Sequence, residues 1–150
     1  MRNRISPYLE QTIASASPLE LIRLYYQTAI QAVRDARGFL AQKNIKDRAR
    51  CISLAHGILA ELFRSLDQKA GDGKMAEELG RLYAYMMRRL LDANFRQADE
   101  PLAEVLNVLL PLAEAWNAIA GQETSDQTAS KQEPWHLGGE LEAGNYSASV

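Results

Sequence analysis

The chain has a single cysteine, Cys51, in 150 residues. No internal disulfide can form, which excludes a small disulfide-stapled scaffold and leads us to expect a reducing, cytoplasmic compartment. Histidine is almost as scarce. His56 and His136 are the only two, and their separations from each other and from Cys51 match no zinc pattern. The phosphate-cradling signatures GxxxxGK and GxGxxG are absent, as is the paired ExxH of di-iron bundles. We therefore expect no catalytic residue, no metal and no cofactor, and a protein that is not an enzyme. An excess of one charge is lacking too: 17 Lys and Arg stand against 19 Asp and Glu, a net charge of -2. A chain that tracks nucleic-acid phosphates needs a strong basic surplus, so nucleic acid is not an expected partner. Long apolar runs are also missing. The opening MRNRISPYLEQTIASASP carries basic residues without an apolar core, and no later run is long enough to span a bilayer without a charge, so neither a signal peptide nor membrane insertion is expected.

What remains is ordinary globular material, 47% hydrophobic and 24% charged, and its periodicity is helical throughout. Ser17, Pro18 and Glu20 supply a cap, a proline at the first helical position and a capping-box partner, so a first helix is predicted over 18–41. Ile22, Tyr26, Ala29, Val33, Ala36 and Leu40 recur every three or four residues along it. Asn44 caps a second helix over 45–68, with Ile52, Ala55, Leu59, Leu62 and Leu66 on one stripe, broken by the segment AGDG. A third, over 74–98, turns Met75, Leu79, Leu82, Tyr83, Met86, Leu90 and Ala93 inward. Asp99 caps a fourth that runs to about Ala120, with Leu102, Val105, Leu109, Leu112, Ala113 and Trp116 in register. Pro111 falls opposite that stripe, with its ring outward. Four helices of similar length and short connections predict an all-α, antiparallel up-down-up-down four-helix bundle over 18–120. It is preceded by an N-terminal arm (1–17) and followed by a polar tail (121–150) too poor in apolar residues to offset its ordering entropy.

Single polar residues within this frame have plain structural readings. Cys51 lies beside a core stripe and is expected to be a small hydrophobe, while His56 falls on a flank. Arg88 and Arg89, the one adjacent basic pair inside a helix, lie ~100° apart around it and are expected to face solvent or pair with carboxylates.

The third helix has more apolar residues than one seam uses. Gly80, Ala84, Met87, Leu91, Phe95 and Ala98 form a second stripe about a quarter turn from the first. The first helix likewise adds Leu21, Tyr25, Ala32 and Phe39, which contact with two neighbours accounts for. On the third helix, Ala84, Met87, Leu91 and Phe95 are the candidate residues of an apolar groove for a partner's amphipathic segment. Ile5, Tyr8 and Leu9 give the arm more apolar weight than a solubilising segment needs, and they are candidate covers for that groove. An alternative use of the stripe is dimerisation of an adaptor bundle.

Two stretches carry a resemblance. SASPLELIRLYYQTAI (Ser15–Ile30) and LYAYMMRRLLDANFRQ (Leu82–Gln97) resemble the signature stretches of the flagellar secretion chaperone family, and AEAWNAI (Ala113–Ile119) is similar to that family's closing helix. The likeness covers roughly Tyr8 to Ala120. It implies an antiparallel four-helix bundle that binds the disordered C-terminal segment of flagellin, prevents premature polymerisation in the cytoplasm and supports delivery to an export-gate component of the flagellar type III secretion apparatus. A monomer or weak dimer is expected. Two departures stand out. Gln27 and Thr28 replace a common Asp-Gly pair, and Ala84 replaces a frequent Asp, which widens the apolar stripe.

Overall fold

Ser17 has extended backbone, and its hydroxyl accepts from the amide of Glu20 at 3.2 Å. It thereby satisfies one of the amides that a helix start leaves unpaired. Asn44 does the same for the amide of Asp47, and its own side-chain NH2 donates back to the Asp47 carboxylate at 2.9 Å. In a computed structural model, which describes residues 17–125, these caps open the first two of four helices: α1 (Pro18–Ala41), α2 (Ile45–Arg64), α3 (Lys74–Arg96) and α4 (Glu100–Ser125). Each of α1 and α3 packs against both α2 and α4. The four therefore form a ring in chain order, the up-down-up-down bundle that short connections favour.

Three boundaries differ from the sequence expectation. The second helix stops at Arg64, four residues early, because Ser65 takes the cap and its hydroxyl donates to the carbonyl of Glu61 at 2.9 Å. Leu66 leaves the helix yet still packs on the core, close to Gly80 of α3. The third helix stops at Arg96, where Gln97 adopts the left-handed conformation and the Ala98 amide reaches back to the carbonyl of Ala93. The fourth runs on to Ser125. Gly73, directly before α3, has a φ of 80°, and a Cβ there would meet the Gln68 carbonyl oxygen at 2.8 Å. Glycine alone fits that turn.

The core contains the expected stripes, save that Leu82 of α3 is only half-buried and lies outside it. Ile22, Tyr26, Ala29, Val33 and Ala36 of α1 meet Ile52, Ala55, Leu59 and Leu62 of α2, Leu79, Tyr83, Met86, Leu90 and Ala93 of α3, and Leu102, Val105, Leu109 and Trp116 of α4. Each fully buried leucine or isoleucine contributes about 1.5–3 kcal/mol. Met75 is an exception: placed inward by periodicity, it is 60% exposed, because Ala76, one residue on and ~100° around the helix, takes the inward position and is 1% exposed. α4 is apolar and long enough, by length and composition, to cross a membrane. It nevertheless carries Glu104 and Glu114, and its apolar residues close the bundle core. Pro111 is exposed as expected.

Across the diagonal of the ring, the hydroxyls of Tyr26 and Tyr83 meet at 2.7 Å, both side chains fully buried, and the Trp116 indole also hydrogen-bonds Tyr26. Burial is the main reason that the Tyr26 phenol is pushed up to about 12, its bonds to Tyr83 and Trp116 opposing the shift. Burial, then the neighbouring Tyr26, raises Tyr83 as well. Both groups thus favour the neutral form in the folded state. Their contribution is fully present below pH ~10, where unfolded tyrosine titrates, and is lost as pH rises towards and through the folded values. Above pH 10 the pair should lose about 1.4 kcal/mol per pH unit for each hydroxyl. Urea denaturation at neutral pH and at pH ~11 checks this: the Tyr26→Phe, Tyr83→Phe double variant should lack the alkaline component.

Candidate functional site: an exposed apolar face on α2 and α3

Polar side chains clamp three of the four seams and so fix which face of α3 is free. On the seam with α4, Arg89 binds both carboxylate oxygens of Glu104 at 2.8 and 3.3 Å and also reaches Asp92 at 2.9 Å. The Tyr85 hydroxyl donates to the same Glu104 at 2.6 Å. Arg89 first, then Tyr85, holds the Glu104 carboxyl below the usual range, and Glu104 in turn raises the Arg89 guanidinium. Arg88 lies over the Tyr85 ring, 5.9 Å from its centroid. The basic pair is thus spent on a carboxylate and an aromatic ring.

On the seam with α2, Arg48 is 4% exposed, and its guanidinium donates to the side-chain oxygen of Asn94 at 3.0 and 3.2 Å and to the Asn94 carbonyl at 3.4 Å. A buried guanidinium needs partners. Here the last turn of α3 supplies them, carrying unsatisfied carbonyls and the negative end of the helix dipole. At the α1/α4 seam, Arg23 donates to Asn117 at 2.9 Å, and Arg37 grips Asp99 through two bonds at 2.7 and 2.8 Å. The carboxylate expected to cap the fourth helix is thus held by α1, while the Asp99 carbonyl accepts from Ala103.

With α3 held in this rotation, its second stripe divides. Ala84 and Met87 are half-buried, and Met87 packs on the core. Leu91 is 54% exposed and Phe95 is 87% exposed. The four candidate residues therefore make a shallow face whose floor is Ala84 and Met87 and whose outer members are Leu91 and Phe95. The adjacent Leu90 is fully buried. Gly80 continues the floor, where a Cβ would sit 3.4 Å from Leu66 and 4.0 Å from the Phe63 ring. Phe63, 41% exposed, brings α2 into the face. Ile45, 55% exposed, lies five turns earlier on α2 at the same helical phase, at the end where Arg48 meets Asn94. His56 shares that phase and is half-buried. Phe63 and Ile45 were not singled out from the sequence, although their spacing of ~18 residues, five full turns, was available as a signal. Ile5, Tyr8 and Leu9 lie outside the described residues.

Cys51 is half-buried against the core, and burial, its largest influence, followed by Asp35 and Asp47, raises its thiol. That is the opposite of nucleophile activation. Among the described residues no group of three His, Cys, Asp or Glu side chains could hold a metal ion.

A family model described as "Flagellar protein FliS" matches residues 1–123. The chain belongs to the FliS family. It is 39% identical over 113 residues to the flagellar secretion chaperone FliS of Salmonella typhimurium, covering 75% of this chain and 83% of that one. It is 34% identical over 112 residues to flagellar secretion chaperone FliSB of Pseudomonas aeruginosa, covering 75% and 88%. With the FliS of Bacillus subtilis the match is 25% identical over 130 residues, or 87% and 96%. FliS proteins are flagellar secretion chaperones, a role without catalysis, and a secretion chaperone has a protein client.

If the face is free surface, changing it spares the fold. Leu91→Ser and Phe95→Ser should alter unfolding free energy by no more than about 0.5 kcal/mol, whereas Leu90→Ala, one residue away, should cost about 2–5 kcal/mol. Urea titrations of the three variants make the comparison.

Proposed function

We propose that the α2/α3 face binds the C-terminal segment of flagellin in the cytoplasm, covers apolar stripes meant for other flagellin subunits, and supports delivery to the export gate of the flagellar type III apparatus. The observation that carries this is the exposure of Leu91 and Phe95 on a helix whose other apolar stripe already fills the core. Phe63 and Ile45 extend the surface along α2. Covering a large apolar side chain contributes about 1.5–3 kcal/mol, while ordering a disordered client costs about 2–5 kcal/mol of the gross interaction energy. Several such anchors along one extended face are therefore needed, and a long shallow surface suits this better than a deep pocket.

Co-purification with flagellin, full length against a form lacking its C-terminal segment, is the direct test, and binding should vanish with the segment. Phe95→Ser and Leu91→Ser should each weaken binding about tenfold or more, as interface anchors do. The contact being apolar, affinity should change little between low and moderate salt, whereas a steep fall would point to a charge-driven interface. The same exposed face favours a second reading, an adaptor that dimerises through it. A monomer by light scattering, with flagellin bound one to one, excludes that use.

The N-terminal arm completes the proposal. Sixteen residues precede Ser17 and can reach about 50 Å when extended, more than the ~35 Å length of α3. Ile5, Tyr8 and Leu9 would then cover the face in the absence of client, at the high effective concentration of an attached segment. Removing residues 1–9 should raise flagellin affinity and lower the solubility of the free protein. Hydrogen exchange gives the decisive readout: amides near Tyr8 should lose protection when flagellin binds, and unchanged protection rules out displacement.

A further inference from the structure

The ring places the α1/α4 seam on the opposite side of the bundle from the α2/α3 face. Along it runs a groove of about 500 Å³. Its floor is apolar, made by Ile30 of α1 with Leu110 and Ala113 of α4, and Leu110 is 38% exposed. Its rim carries Gln27, Arg34 and Glu114. The side chains of Arg34 and Glu114 form no hydrogen bond or ion pair among the described residues, in contrast to Arg23, Arg37, Arg48 and Arg89. Apolar floor, available cation and available anion together suit a short segment with a large apolar side chain flanked by charge.

The chain itself supplies one. The family match ends at residue 123, and 25 residues follow Ser125. They contain Asp126, Glu133, Glu140 and Glu142 against a single lysine, Lys131, and one apolar cluster, Trp135 with Leu137. Trp135 comes ten residues after Ser125, a reach of ~33 Å. Leu110 lies only ~23 Å back along α4 from that point, and Asn117, at the near end of the groove, ~12 Å.

We propose that the segment Glu133–Leu137 folds back along α4 and occupies the α1/α4 groove of its own chain. Trp135 and Leu137 cover Ile30, Leu110 and Ala113. The indole N–H, a donor only, finds an acceptor in the Glu114 carboxylate or the Gln27 amide oxygen. Arg34 pairs with Glu133, or lies over the indole face as guanidinium groups do. Pro134 favours extended backbone at Glu133, which presents the segment as a short extended strap. Tethering raises the local concentration of the segment to the millimolar range, so modest contacts suffice. The tail would thus close one face of the bundle while the opposite face remains open to a client.

The test uses the full chain and its Trp135→Ala and Leu110→Glu variants, followed by amide and indole NMR. In the unaltered protein the Trp135 indole should be shielded from acrylamide, and Trp135→Ala should shift the amides of Ile30, Leu110 and Ala113. Leu110→Glu, a change at a partly exposed position, should leave the bundle spectrum intact and expose Trp135 to quencher. These effects should persist on dilution. No shift at the α1/α4 groove, shifts at Leu91 and Phe95 instead, or shifts that disappear on dilution as a contact between two copies would, each overturn the proposal.

Discussion

A helix in a ring of four can bury only the arc that it turns towards its two neighbours and the shared axis. Every other property of this protein follows from how the four sequences fill that arc. On α1 the arc is wide, and Leu21, Ala32 and Tyr25 enter it beside the main stripe, the first two buried and the third half-buried. On α3 the arc is filled by Leu79, Tyr83, Met86, Leu90 and Ala93, so Leu91 and Phe95 fall outside it. The surplus cannot be hidden by rotating α3, because rotation that buried Phe95 would drive Arg89 away from Glu104 and Asn94 away from Arg48. A cooperative bundle with an open apolar face is therefore a consequence of fixed rotation, not of loose packing.

Fixing that rotation requires directional contacts, since apolar stripes with a repeat of three and four residues tolerate sliding by a turn. The Tyr26–Tyr83 bond ties α1 to α3 across the diagonal, joining two buried hydroxyls at one point. Arg48 fixes α2 on the end of α3, and Arg89 fixes α3 on α4. Most of these groups contribute little net stability, since each exchanges a bond to water for a bond within the protein. Leaving any one of them unmatched would be expensive, and that asymmetry selects one register from several of similar apolar burial.

Helix number, order and starts were legible because caps and periodicity are local: Ser17 and Asn44 can be recognised from a few neighbours, and the core stripes from spacing alone. The end of the second helix was not, since Leu66 stays in phase with the stripe while Ser65, one residue earlier, already takes the cap. Met75 misled because it and Ala76 stand four and three residues before Leu79, so spacing fits both, and it is Ala76 that turns inward. The outer stripe of α3 was legible as a surplus, and its exposed members were the outermost two, Leu91 and Phe95. The contribution of α2 was harder to see. Phe63 becomes part of the face by lying close to Gly80 of α3, and a contact between two helices leaves no trace in the periodicity of either. Arg48 was invisible for the same reason: nothing local distinguishes an arginine that will be buried on an asparagine from one that faces water.

The two departures from the family resemblance fall on opposite sides of the ring, and each changes the surface where it stands. At Ala84 a methyl group occupies a position where a carboxylate is frequent, so the floor beneath Leu91 and Met87 presents no charge that an incoming apolar side chain would have to desolvate. At Gln27 an amide replaces a carboxylate on the rim of the α1/α4 groove. An aspartate there would pair with Arg34 or repel an acidic segment, whereas glutamine leaves the cation available and adds both a donor and an acceptor. One substitution makes a surface more apolar and the other makes a groove less anionic. Both act by removing negative charge.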